Sequence, residues 1–296
     1  MSNLRVRLIS AAVMIVVIYG ALVLSETTRW AVMALILSLG AWEYSRMITS
    51  KYSGPSAPVG GAESKSSAGK SPAVAWLAGA LVFVFTLPHY PGFLDHSVSL
   101  AASPDLWLWG VSILAVLIFT LLGFRYADIS VMAPWIYLQL FGCAYFGIYA
   151  AGTFGLLTDY PGWRGIFPLL MVQIAIAAAD SGAYFTGRKF GKRKLAPTIS
   201  SGKTIEGALG GAALTVLVTA LLGPRLLHTG FLANLGLGVV LCGTAIIGDL
   251  FISILKRYTG TKDSSNLIPG HGGILDRFDA LLFSAPVAVF YLQLFG

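Results

Sequence analysis

Nine mostly apolar runs, each near the length needed to cross a bilayer, recur along the 296-residue chain. The hydrocarbon core of a membrane is about 30 Å thick, so a spanning helix needs roughly 20 apolar residues. By that ruler the spans fall at about 6–25, 29–48, 72–88, 106–123, 131–151, 166–187, 205–223, 231–255 and 279–295. Only 11% of the residues are charged, whereas a soluble domain carries about 25%. The expected fold is an all-α polytopic membrane protein with about nine transmembrane helices.

The basic residues set the orientation. With the N-terminus in the cytoplasm, seventeen of the 20 Lys and Arg residues fall on the inside, leaving Arg29, Arg164 and Arg225 outside. The positive-inside rule favours that arrangement. The net charge of +7 therefore reports membrane sidedness, and no nucleic-acid partner is expected. The first run follows Arg5 and Arg7 but is long for a signal-peptide core and lacks a small-x-small cleavage site, so it reads as a retained span. Residues 1–296 read as a single membrane domain, with N-terminal spans over 1–165 and a catalytic portion over 166–296. Segment 51–71, rich in Gly, Ser, Ala and Pro, reads as a flexible cytoplasmic loop, and His89 to Asp105 as an acidic external one. Cys143 and Cys242 sit in apolar runs and read as buried hydrophobes. The Gly207 to Gly211 spacing suits close helix packing.

Carboxylates break the apolar pattern. One at mid-bilayer costs about 2.5–3.5 kcal/mol on insertion scales, so such residues tend to face polar cavities. Asp180, Glu206 and Asp249 are of this kind. Glu43 lies one helical turn from Arg46, and a local surface pair accounts for it. Asp249, Ser253 and Lys256, spaced i, i+4, i+7, share one helix face. Arg257, Lys262 and Asp263 follow, then the glycine-rich turn Pro269-Gly270-His271-Gly272-Gly273, which demands unusual backbone angles or a close approach to a ligand. Asp276, Arg277 and Asp279 close the segment. Carboxylates alternating with cations around glycine-rich backbone suit a magnesium–polyphosphate site.

A second polar block runs from Asp180 and Tyr184 through the basic cluster 188–194 to Ser200-Ser201-Gly202-Lys203-Thr204 and Glu206. The Gly-Lys-Thr ending is not a Walker A loop, because Pro197 stands where that motif needs glycine. The basic cluster also fits a plain orientation signal at an anionic membrane surface. The four histidines form no metal cluster by spacing.

The run Ser253-Ile-Leu-Lys256-Arg257, Lys262-Asp263, Pro269-Gly-His271-Gly-Gly-Ile-Leu-Asp276-Arg277-Phe-Asp279 resembles the signature of phosphatidate cytidylyltransferases, also called CDP-diacylglycerol synthases. Asp180 to Tyr184 and Lys203 to Gly207 resemble the family's other polar block, with Ser201 where proline is common and Ile205 where an aromatic is common. The resemblance implies that phosphatidate and CTP give CDP-diacylglycerol and pyrophosphate, with Mg²⁺ required and a second cation allowed. It also implies a homodimer in the bacterial-type inner membrane with a cytoplasm-facing site. On that reading Asp249 and Asp276 bind Mg²⁺, with Asp180 and Asp279 as further ligands or supports. Lys256, Arg257, Lys262 and Arg277 neutralise phosphates, Ser253 and His271 orient oxygens, and Gly272 and Gly273 bring backbone to phosphate. Lys203 and the 188–194 cluster recruit the lipid head group. A CTP-dependent lipid alcohol kinase or an ether-lipid cytidylyltransferase shares much of this pattern. A secondary transporter shares the buried carboxylates but not their clustering at one membrane face.

Overall fold

Apolar runs of this length fold as helices because lipid offers no partner to an open backbone group. The computed structural model describes residues 3–52, 72–86, 104–124, 126, 128–158 and 162–296. The glycine- and serine-rich loop, beyond Lys51 and Tyr52, and the part before Pro104 of the loop expected to be external lie outside the described residues. The described helices are α1 (Asn3–Leu24), α2 (Glu26–Tyr52), α3 (Pro72–Thr86), α4 (Pro104–Gly123), α5 (Ile129–Thr158), α6 (Phe167–Phe190), α7 (Ile205–Leu226), α8 (Phe231–Thr259) and α9 (Leu275–Phe295). Six of these regions, α2 and α5 to α9, are long and apolar enough to cross a membrane, and α1, α3 and α4 contribute shorter apolar stretches. The outward faces stay apolar: Leu209, Leu217 and Leu221 on α7, and Leu232, Val239 and Ile247 on α8, are all exposed. Large apolar surfaces of this kind mark contact with lipid. The chain is a helical integral membrane protein.

The described chain divides into two compact units. The first comprises Met1–Ala21, Glu26–Ala150 and Tyr258–Asp276. Its centre is the buried stripe of α2, where Met33, Leu37, Ala41, Tyr44 and Ile48 recur at helical spacing. Tyr44 donates to the Leu138 carbonyl at 2.8 Å, and its ring meets Phe146 edge-on with centroids 6.1 Å apart. On the other side α3 packs through Trp76 against Trp42, and the Trp30 indole donates to the Thr86 carbonyl at 2.8 Å. α5 starts where Asp128 caps it, with Oδ1 accepting the Ser130 N–H at 2.8 Å. That bond holds the Asp128 carboxyl below the usual carboxylate range.

The second unit comprises Leu22–Ser25, Ala151–Arg257 and Arg277–Gly296. Its α6 and α7 touch backbone to backbone. A Cβ on Gly182 would lie 2.6 Å from the Gly210 carbonyl, one on Gly211 2.6 Å from the Ala179 carbonyl, and one on Gly207 2.8 Å from the Ala183 carbonyl. The Gly207–Gly211 spacing thus serves packing within the chain. The buried Thr215 hydroxyl lies 2.8 Å from the Gly211 carbonyl and 3.3 Å from that of Ala175 on α6. Between α8 and α9 the Thr244 and Ser284 hydroxyls meet at 3.0 Å.

Among the described residues the helical pattern is interrupted by one short hairpin, β1 (Lys194–Ala196) and β2 (Ser200–Thr204), joining α6 to α7. Thr204 then caps α7, its side chain accepting the Gly207 N–H at 3.1 Å. Close helix contact of this kind is unforgiving of bulk. We expect Gly211→Val to destabilise the detergent-solubilised protein by about 1–3 kcal/mol through overpacking. Gly243→Ala, at a position with nothing within 4 Å of the added Cβ, should leave the thermal unfolding midpoint unchanged or raised.

Candidate active site

Polar side chains gather at two places, one in each unit. In the second unit, α6 supplies Asp180, β2 supplies Lys203, α8 supplies Asp249, Ser253 and Lys256, and α9 supplies Asp279. Lys203 Nζ lies 2.5 Å from Asp249 Oδ2, and the Ser253 hydroxyl donates to Asp249 Oδ1 at 3.3 Å. The shared helix face expected for Asp249 and Ser253 is therefore formed. Asp180 lies within electrostatic reach of Asp249 and Lys203, and Asp279 within reach of Asp249, Lys256 and Asp180. Three carboxylates and two lysines thus share one field. The Lys203 and Asp249 side chains keep 25% and 36% of their surface exposed. An ion pair this open contributes about 1 kcal/mol or less. It can be exchanged for other charged partners at little cost.

The hairpin that carries Lys203 is pinned at both ends. Glu206 Oε2 accepts the backbone N–H groups of Lys192 at 2.9 Å and Arg193 at 3.1 Å, while Arg193 Nε donates to Oε1 at 3.3 Å. Glu206 thus has a structural task, holding the start of the hairpin at the first turn of α7. Arg257 Nε reaches the Ile199 carbonyl in the hairpin turn at 3.3 Å, so this expected phosphate ligand also ties α8 to the hairpin. Lys194 Nζ donates to the Ser201 carbonyl at 2.7 Å. Within the basic cluster, Arg188 donates to the Tyr184 hydroxyl at 3.1 Å.

In the first unit, the glycine-rich segment closes around Glu43. Glu43 is fully buried, and no Lys, Arg or His nitrogen pairs with it among the described residues. Its Oε1 accepts from the Ser265 hydroxyl at 2.6 Å and Ile274 N–H at 2.9 Å. Its Oε2 accepts from the Ser264 hydroxyl and Leu275 N–H, both at 2.8 Å. The local surface pair with Arg46 expected from spacing is not formed. Arg46 instead lies over the Trp42 ring, 5.3 Å from its centroid. A buried charge costs several kcal/mol, and hydrogen bonds to charged groups return about 1.5–3 kcal/mol each, so four donors can hold it in place.

Asp276 joins the same cluster. Its Oδ2 accepts the Ser264 N–H at 2.8 Å and the Gly273 N–H at 3.0 Å, and the Ser264 hydroxyl lies 2.9 Å away. The turn between them is tight: Gly270 and Gly272 have φ of 75° and 83°, in the left-handed region that glycine tolerates. Ile268 N–H donates to the Gly272 carbonyl at 2.8 Å. His271 Nδ1 sits 2.8 Å from the Ser10 hydroxyl, which is 3.0 Å from the Pro269 carbonyl. Lys262, Asp263 and Arg277 are exposed. Ser264 and Ser265 escaped the sequence reading and Glu43 was given the wrong partner, because partners 221 and 222 residues apart leave no spacing to read.

Among the described residues, no three His, Cys, Asp or Glu side chains converge into a cage for a metal ion. Magnesium does not require one, since it is bound through one or two carboxylates plus substrate phosphates and water. The hard oxygen donors of Asp249 and Asp180 fit that demand, and the Lys203 ammonium already balances Asp249 there.

A family model described as the cytidylyltransferase family matches residues 5–295. A phosphatidate cytidylyltransferase from Pseudomonas aeruginosa is 33% identical over 96% of this chain and 95% of its own. One from Synechocystis is 32% identical over 97% and 96%. A local alignment with the phosphatidate cytidylyltransferase of Haemophilus influenzae reaches 50% identity over 42% of this chain and 45% of that one.

The close fit of Gly273 gives a direct check on the loop. An added Cβ would collide with the Ser264 hydroxyl and lie 2.5 and 2.6 Å from the Glu43 oxygens. We expect Gly273→Ala to cost about 1–3 kcal/mol, read as a lowered unfolding midpoint. Gly202→Ala, with open space around its Cβ, should stay within about 0.5 kcal/mol of the parent.

Proposed function

Because the chain belongs to the cytidylyltransferase family, we propose that it transfers CMP from CTP to phosphatidate, giving CDP-diacylglycerol and pyrophosphate. The observation that carries this reading beyond likeness is the mixed-charge group of Asp180, Asp249, Asp279, Lys203 and Lys256 on four elements of one unit. Both substrates are anionic, and their approach requires charge neutralisation and alignment more than a protein nucleophile. A phosphate oxygen of phosphatidate attacks the α-phosphorus of CTP. The new O–P bond forms as the bond from that phosphorus to the β-phosphate oxygen breaks, and pyrophosphate leaves with the electron pair. No Ser or Cys needs activation, because the attacking oxygen is already ionised.

Asp249 and Asp180 are the proposed Mg²⁺ ligands in the second unit, with Asp279 as support; Asp276, in the first unit, is a proposed metal ligand on the family resemblance alone. A bound Mg²⁺ would neutralise phosphate charge and align the attacking and leaving oxygens. Lys203, freed from its exchangeable pair with Asp249, and Lys256 neutralise phosphate oxygens. Arg257 and Arg277 widen that positive field, and Lys262, in the first unit, is a further proposed phosphate ligand. Ser253 holds Asp249, and His271, Gly272 and Gly273 shape the loop beside Asp276. One substrate is a lipid and the other is soluble, so the proposed site faces the cytoplasm at the surface of a bacterial inner membrane. A homodimer, as the family resemblance implies, completes the reading.

Pyrophosphate release from CTP by the detergent-solubilised protein tests it. We expect release to require both phosphatidate and Mg²⁺, with CDP-diacylglycerol as the lipid product. Release of CDP would indicate a kinase, and absence of any stimulation by phosphatidate would remove the assignment. Asp249→Asn, with folding retained, should lower turnover by about 100-fold or more, the scale of losing one charge-stabilising group in an active site.

A further inference from the structure

The Glu43 cluster ties together both sides of the glycine-rich turn. Its four donors come from Ser264, Ser265, Ile274 and Leu275, which flank the glycine-rich turn on both sides. Leu275 is the first residue of α9 and Asp276 the second. Glu43 therefore grips the loop before the turn through two hydroxyls, and after it through two backbone N–H groups at the start of α9. The carboxylate of Asp276 is held by Ser264, one of these four, and by the Gly273 N–H. The Ser264 hydroxyl lies 2.8 Å from Glu43 Oε2 and 2.9 Å from Asp276 Oδ2, and it has a single proton to give. Ser264 is thus the physical link between a carboxylate fixed on α2 and one at the start of α9.

We propose that Glu43 is a positioning residue for the metal-binding carboxylate of Asp276, acting through Ser264 and the start of α9. This rests on the metal role given to Asp276 above. Glu43 itself is fully buried and meets no substrate in this reading. Its part is to fix the direction of Asp276 before the cation arrives. Outer partners that orient a metal-binding carboxylate typically change metal affinity by about 10–100-fold when removed. Glu43→Gln replaces one acceptor oxygen with a donor NH₂ facing either Ile274 and Ser265 or Leu275 and Ser264, so one backbone N–H loses its partner. Ser264→Ala is the gentler variant, since it removes the link and leaves Glu43 three donors.

The test is Mn²⁺ binding to the full-length protein in detergent, followed by electron paramagnetic resonance, alongside CTP turnover as a function of Mg²⁺. Glu43→Gln and Ser264→Ala should weaken Mn²⁺ binding by about tenfold or more and raise the Mg²⁺ concentration for half-maximal turnover. Glu43→Asp, which keeps the charge, should recover part of both. Gly79→Ala serves as the stability control, because its added Cβ would press on the Ser38 carbonyl at 2.8 Å, in the α2–α3 contact. It should lower the unfolding midpoint without moving the metal titration. If Glu43→Gln fails to fold, Ser264→Ala decides the matter alone. Folded variants that bind Mn²⁺ as tightly as the parent would overturn the proposal, as would a parent that binds none. A parent that binds Mn²⁺ in a Glu43-dependent way but forms no CDP-diacylglycerol would overturn the cytidylyltransferase reading and leave this one standing.

Discussion

A carboxylate sealed inside a membrane protein without a cation beside it must be surrounded by donors, and that demand organises the first unit. Glu43 meets it with two serine hydroxyls and two backbone N–H groups. The residues that answer it cannot be bulky, since the space beside Gly273 is filled by the Glu43 oxygens and the Ser264 hydroxyl. Polar signature residues and glycines in this loop therefore have a common cause in the folded chain. Some of them serve a charge within the protein as directly as they could serve a phosphate outside it.

The second unit solves a different problem. Its carboxylates are partly open, and the ion pair between Lys203 and Asp249 is exposed enough to be exchanged. Glycine contacts between α6 and α7 bring two backbones together, and these helices carry Asp180 and follow directly on Lys203. Rigid packing beside exchangeable charge is the arrangement that a site for anionic substrates needs.

The helices were legible because twenty apolar residues in lipid have essentially one solution. Their ends were less so: α2 runs to Tyr52, past the apolar limit near 48, because a helix does not stop where lipid stops. The hairpin at 194–204 left no clear trace. Its strands are short and polar, and its order comes from Glu206 and Arg257, whose contacts depend on tertiary placement. The i, i+4 link between Asp249 and Ser253 was readable from spacing, since local periodicity fixes which side chains share a face. Glu43 was misread for the complementary reason. Its neighbour three residues on is visible in any helix, whereas its true partners lie at the far end of the sequence.

That separation has a consequence for how the protein is made. Ser264 and Leu275 follow Glu43 by 221 and 232 residues. At a synthesis rate of about 5–20 residues per second, about 10–45 s pass between the appearance of the charge and of its donors. Over that interval α2 already contains, near the end of its apolar run, a carboxylate whose donors have not been made. The unfinished chain must keep Glu43 near water or an interim partner until the loop arrives. Maturation of the N-terminal spans is thereby tied to completion of the C-terminal ones, and a chain truncated before the loop inherits an unanswered charge.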